Sequence, residues 1–312
     1  MFRHKIEKRE SGVLLYGITP PRRDNAEERI REITARRVER IQSLNVDGLV
    51  VYDLQDESLR NPDTRPFPYL PTIDAGTYSS EYLNALNLTK ILYKPVATDT
   101  PESFTRWAAA RNNHSSASVL VGAPSRDFPS MLKLSEAYKI RQNVAPNMLL
   151  GGVVIPERHA VTGREHLHVI EKTSAGCSFF ISQCVYNPQV THDFISDYAY
   201  HCRDQGLSSR YLIFTLTVCG SVETLKFMKW LGISIPRWLE NDLSHASDIL
   251  ETSLKACREI AGGIIEYCGE KNIPFGFNIE SVSIRKAEIE ASIALAHQIA
   301  VLLGRSKKVS TT

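Results

Sequence analysis

The chain has 312 residues, 43% hydrophobic and 23% charged, the composition of an ordinary globular protein with a sizeable core. Its 37 Lys and Arg against 35 Asp and Glu leave a net charge of +2, too small to argue for nucleic acid or an acidic membrane as partner. No run of about 18 apolar residues occurs, so no transmembrane helix is expected.

The chain begins MFRHKIEKRESG, a charged stretch that runs into only the short apolar VLLY, too brief for a signal-peptide core. Residues 1–11 therefore read as a flexible arm, 12–303 as one domain, and 304–312 as a flexible tail. From there, short apolar runs alternate with longer amphipathic ones. Strands are expected at 13–18, 48–54, 88–96, 118–123, 149–155, 179–186, 211–216 and 273–279, several of them apolar on both faces as buried parallel strands are. Helices are expected between them at 24–43, 102–113, 128–143, 163–175, 188–205, 221–231 and 246–270, with 283–303 closing the chain. Thr100 before Pro101 and Asn187 before Pro188 are good helix starts. Eight such units fit a closed (β/α)8 TIM barrel best. A doubly wound open sheet would favour a GxGxxG turn after an early strand, and none is present.

Cys177, Cys184, Cys202, Cys219, Cys257 and Cys268 form no CxxC pair and lie in apolar patterns. They read as core residues of a reduced, cytoplasmic protein. No interface can be read from the pattern, although homo-oligomers are common among enzymes of this size.

In a barrel of this type the chemistry sits at the carboxyl ends of the strands. Strand 2 offers Tyr52, Asp53, Gln55, Asp56 and Glu57, and strand 5 is followed by Glu157, Arg158 and His159. Strand 6 carries Gln183, and strand 8 ends with Asn278, Glu280 and Ser281. Asp53 and Glu57 suit acid–base work if burial raises a pKa, and suit equally well loop capping or pairing with Arg60 and Arg65, the reading favoured for Asp56. An inward amide at Gln183 is costly unless satisfied, so it serves either a ligand or the fold. His159 has no HxH or HxxxH partner, which argues against a metal site. The segment RPFPYLPT (65–72) either walls a planar ligand or packs as a lid on its own barrel.

The block GGVVIPERHAVTGREHLHVIEKTSAGCSFFISQCVYN (151–187), with TPPR (19–22) and IPRWLE (235–240), resembles the methylenetetrahydrofolate reductase family, flavin-dependent (β/α)8 enzymes of one-carbon metabolism. The likeness covers most of 12–302. It implies that Gln183 contacts the pterin of a reduced folate and that Lys172, His159 and Gly122 lie where the family holds its cofactor. Two departures stand out. Gly17 occupies the place of the family's strand 1 Glu, the acid that helps open the folate's five-membered ring. Val121 and Ala123 replace the Arg and Asp that flank the family's flavin (FAD), which argues against tight flavin binding. The resemblance thus implies an oxidoreductase that reduces 5,10-methylenetetrahydrofolate with NAD(P)H as ultimate donor, either through a weakly held FAD or by hydride taken directly from the nicotinamide. With the strand 1 acid missing, Asp53 and Glu57 are the expected proton donors, with Gln55 as an orienting amide and Tyr52 beside the substrate. Altered one-carbon chemistry on the same folate site, and a non-catalytic folate or partner binder, remain open alternatives.

Overall fold

The computed structural model describes residues 1–56, 63–125 and 128–305. Eight parallel strands close into a barrel in sequence order. They are β1 (Val13–Ile18), β2 (Gly48–Val51), β3 (Thr89–Pro95), β4 (Ala117–Val121), β5 (Leu149–Val154), β6 (Phe179–Cys184), β7 (Tyr211–Thr217) and β8 (Phe275–Glu280). The closure gives β1 two neighbours. It pairs with β2 through Gly17 and Val50, and with β8 through Tyr16 and Ile279.

These stretches form strands because both of their faces are buried. Val13, Leu15, Val50, Ile91, Val119, Leu149, Phe179, Ile181, Tyr211 and Ile213 fill the barrel interior. Leu14, Tyr16, Leu49, Leu92, Phe180 and Phe214 alternate with them and pack outward under the helices. The outer layer comprises α2 (Glu27–Gln42), α4 (Pro101–Ala109), α5 (Leu134–Val144), α6 (Pro156–Thr162), α7 (Glu165–Ser174), α8 (Pro188–Asp204), α9 (Val222–Trp230), α10 (Arg237–His245), α11 (Ile249–Glu270) and α12 (Lys286–Leu302). Thr100 and Asn187 cap α4 and α8 as expected, accepting from the Ser103 and Val190 amides at 3.2 and 3.4 Å. By contrast, α2 starts at Glu27 rather than Asp24 and has no side-chain cap. The connection after β2 carries a short turn of helix, α3 (Ala75–Thr77), continued by a π-helical turn, Tyr78–Tyr82.

One expectation is corrected at the N-terminus. Residues read as a flexible arm form α1 (Phe2–Lys8), which plugs the barrel floor. Phe2 is fully buried, edge-on to Phe179 with ring centroids 5.3 Å apart, and Ile6 is buried beside it. Burying a phenylalanine there is worth about 2–3 kcal/mol, enough to hold a short helix that would fray alone. Two charges of the arm find partners on the barrel: Arg3 donates to the Asn147 carbonyl at 2.6 Å, and Lys5 Nζ lies 3.1 Å from the buried Asp47. Arg305, at the start of the expected tail, also pairs with Asp47, while 306–312 lie outside the described residues. All six cysteines are free and buried. Among the described residues no helix is long and apolar enough to cross a membrane.

Candidate functional site

Towards the carboxyl ends of the strands the inward positions change from aliphatic to polar. Tyr52 and Tyr93 cap the apolar interior, edge-on to each other with centroids 4.7 Å apart. Tyr52 sits where it does because residue 17 is glycine. A Cβ there would lie 2.8 Å from Tyr52 Cε2, 3.2 Å from Glu280 Cβ and 3.4 Å from Asn278 Oδ1. The space of the missing strand 1 side chain is thus bordered by groups from β8 and the end of β2.

Those groups form one network. Asn278, fully buried, donates from Nδ2 to the Tyr52 hydroxyl at 2.8 Å and to Thr215 Oγ1 at 3.3 Å. Its Oδ1 is buried with no hydrogen-bond partner among the described residues, an acceptor that costs about 1–3 kcal/mol if left unmade. Glu280 Oε1 accepts from the Cys184 thiol at 3.0 Å, and the Tyr52 hydroxyl is its other donor. Cys184 follows a register shift in the β6–β7 pairing. Burial pushes the Glu280 carboxyl above the ordinary range, the two hydrogen bonds pulling weakly the other way. Burial, and then the neighbouring Glu280, push the Tyr52 and Tyr93 phenols well up, so both are neutral hydroxyls. A carboxyl whose hold on its proton is strengthened by burial, beside two aromatic walls, can exchange a proton with a polar flat ligand.

A second carboxyl lies at the β5–β6 side. Glu157 opens α6 directly after β5, where burial pushes it to about 7 against the pull of its own amide and that of Ser234. Its Oε2 is buried without a hydrogen-bond partner among the described residues. Nearby, Gln183 donates from Nε2 to the Leu231 carbonyl at 2.8 Å, so this amide is partly spent on the fold.

Of the residues expected from sequence, the structure brings Tyr52 and Gln183 to the mouth, and joins Gln55 to Gly122 through Nε2 and the Gly122 carbonyl at 3.4 Å. Asp53 is half-buried and pushed to about 6, by burial first and then by Asp74, on the side where Lys94 and Asp99 pair at 2.7 Å. Glu57 lies outside the described residues. His159 and Lys172 both make contacts in the helix layer. The Lys172 stem crosses Gly152, where a Cβ would lie 3.3 Å from its Cδ, and its Nζ donates to the Val153 carbonyl at 2.5 Å. His159 is buried between α6 and α8, its ring centroid 5.9 Å from that of Phe194. Both therefore end in contacts on the outer side of the strands.

The proline-rich segment packs on the barrel itself. Trp230 Nε1 donates to the Asp63 carbonyl at 2.8 Å, Phe67 meets Phe227 edge-on at 5.2 Å, and the Arg65 guanidinium lies 5.3 Å over the Phe227 ring. These contacts tie the β2–β3 connection to α9, across the ends of β1 and β8. The loop after β1 is pinned below it by the Arg23 amide to the Pro71 carbonyl at 3.0 Å.

Sequence reasoning noticed Asn278, Glu280 and Glu157 as strand-end residues but singled out none of them. The signal that finds Glu280 is its register beside Gly17, which exists only once the barrel is closed.

No family model and no curated protein matches the chain. Among solved structures it is similar to an uncharacterized protein from Clostridium thermocellum that binds two copies of 5-methyl-5,6,7,8-tetrahydrofolic acid, with 50% identity, TM-score 0.87, and 97% of this chain and 100% of that chain covered. It is also similar, at 10% identity and TM-score 0.44 over 95% of this chain and 93% of that chain, to a 2,3-dimethylmalate lyase of the PEP mutase/isocitrate lyase superfamily, too distant a likeness to bear on function.

Proposed function

The chain belongs to the same family as the Clostridium thermocellum protein, and on that premise we propose that it binds a reduced folate in the barrel mouth and acts on the one-carbon unit that folate carries. The observation that carries this reading is half-identity, along essentially the whole chain, to a protein that binds 5-methyltetrahydrofolate. The chemistry of the mouth supports it. A reduced pterin is flat and edged with N–H donors and ring nitrogens, which suits the Tyr52 and Tyr93 rings, the Glu280 carboxyl and the amides of Gln183 and Gln55.

The finer reading is reduction of 5,10-methylenetetrahydrofolate by NAD(P)H. Glu280 takes the part of the missing strand 1 acid, because its Cβ borders the same space beside Gly17. The Glu280 carboxyl gives its proton to N10 as the bond from N10 to the bridging carbon breaks, leaving a methylene iminium at N5. Hydride from the reduced nicotinamide then adds to that carbon, yielding the 5-methyl group and the oxidised nicotinamide. Asp53 is the second acid in this scheme, on the β2 side, with Glu57 next along the same connection.

Calorimetric titration with 5-methyltetrahydrofolate tests the binding, and oxidation of NADH or NADPH on addition of 5,10-methylenetetrahydrofolate, with and without FAD, tests the reaction. Glu280→Gln is expected to keep folate binding within a few-fold and to lower turnover at least a hundredfold. Absence of folate binding by the wild type refutes the proposal. Binding without turnover moves the protein to the binder class, and a loss of turnover in Asp53→Asn but not in Glu280→Gln moves the acid to β2.

A further inference from the structure

Outside the mouth, three helices bring imidazoles together. Gly163, at φ +63°, ends α6 with its amide on the His159 carbonyl at 2.7 Å, and α7 starts two residues later. His159 and His166 therefore meet across the break, ring centroids 5.4 Å apart. Helix α8 packs over both and presents Asp197, with His201 one turn further on, its ring 5.5 Å from that of His166. His159 Nε2 lies 3.1 Å from Asp197 Oδ2. One ring nitrogen from each of His159 and His166 and one Asp197 oxygen all fall within 4.8 Å of one another.

We propose that His159, His166 and Asp197 bind a divalent transition-metal ion of the zinc type, with His201 or water as the fourth ligand. Neutral imidazole and carboxylate are the donors such ions prefer. Bonds of about 2.0–2.1 Å place tetrahedral ligand atoms roughly 3.4 Å apart, so the His159–Asp197 pair is already at ligand spacing and only the wider pairs must close. Two further observations support a ligand. The Nδ1 atom of His166 is buried with no hydrogen-bond partner among the described residues, a cost that an ion bound through that nitrogen repays. His159 is 5% exposed whereas Asp197 is 55% exposed, which gives the buried end rigidity and the ion a route in. Spacing rules along one helix miss this set because its members come from three. The site is separate from the mouth and does not rest on the folate reading.

The test uses untagged, chelator-treated protein titrated with zinc chloride in a calorimeter, and with cobalt(II) followed by its visible bands. The wild type is expected to take up one ion per chain with an intense tetrahedral cobalt spectrum, and its melting temperature rises with zinc. His166→Ala and Asp197→Asn, checked for native folding by circular dichroism, are each expected to weaken binding at least tenfold, while the exposed-loop control His114→Ala leaves it unchanged. No stoichiometric uptake by the wild type, or equal affinity in His166→Ala and Asp197→Asn, overturns the proposal.

Discussion

Glu157→Gln isolates the cost of ionising a buried carboxyl. In the fold Glu157 is pushed from 4.5 to about 7, mainly by burial and with a further push from Glu165. At about 1.4 kcal/mol for each tenfold change in proton affinity, that rise corresponds to an ionisation cost of order 3 kcal/mol, trimmed to about 2 kcal/mol because water still reaches part of the residue. Between these two pH values the folded chain holds a proton that the unfolded chain has released, so stability falls as pH rises. The Glu157 contribution is full below about pH 4.5 and lost by about pH 7 to 8. A neutral amide keeps an acceptor for the Glu157 and Ser234 amides and has nothing to ionise. The variant should match the wild type near pH 4.5 and exceed it by about 2 kcal/mol at pH 8, read from urea midpoints at constant slope. Taking the difference between the two proteins at each pH cancels the similar drift from Asp53, which burial pushes to about 6. An equal gain at both pH values, or none at pH 8, would refute burial as the cause.

Gly17→Ala places a methyl 2.8 Å from Tyr52 Cε2, and moving that ring also disturbs the Asn278 bond to its hydroxyl. A loss of about 1–3 kcal/mol in stability and weaker 5-methyltetrahydrofolate binding are expected, and a variant with wild-type melting and affinity would show that Tyr52 does not need this space. Asp47→Ala removes a fully buried carboxylate that accepts from the Leu14 amide at 2.9 Å and pairs with Lys5 and Arg305. It should cost about 3–5 kcal/mol in chemical denaturation and loosen α1 from the barrel floor, seen as faster amide exchange over residues 2–8.

The alternation of doubly apolar runs with amphipathic helices, the proline-led starts of α4 and α8, and the core role of the cysteines were all legible along the chain. Each depends on residues within one turn or one strand of each other. Helix α1 was not, because a charged heptapeptide looks frayed until a barrel floor exists to receive Phe2 and Ile6. The course of Lys172 was hidden for a related reason: its long stem follows whichever groove Gly152 leaves open, and that groove belongs to two elements.

What the sequence determined by itself is the scaffold, since hydrophobic period and strand length suffice to demand eight parallel strands with polar ends on one side. Which polar ends meet is a matter of closure. Neighbours in sequence suggested that strand 2 would replace the acid absent at Gly17, whereas the pairing of β1 with β8 sets Glu280 and Asn278 against that glycine from the far end of the chain. Side-chain chemistry there is governed by contacts across a hydrogen-bonded seam that no local pattern encodes, so only the folded barrel could decide it.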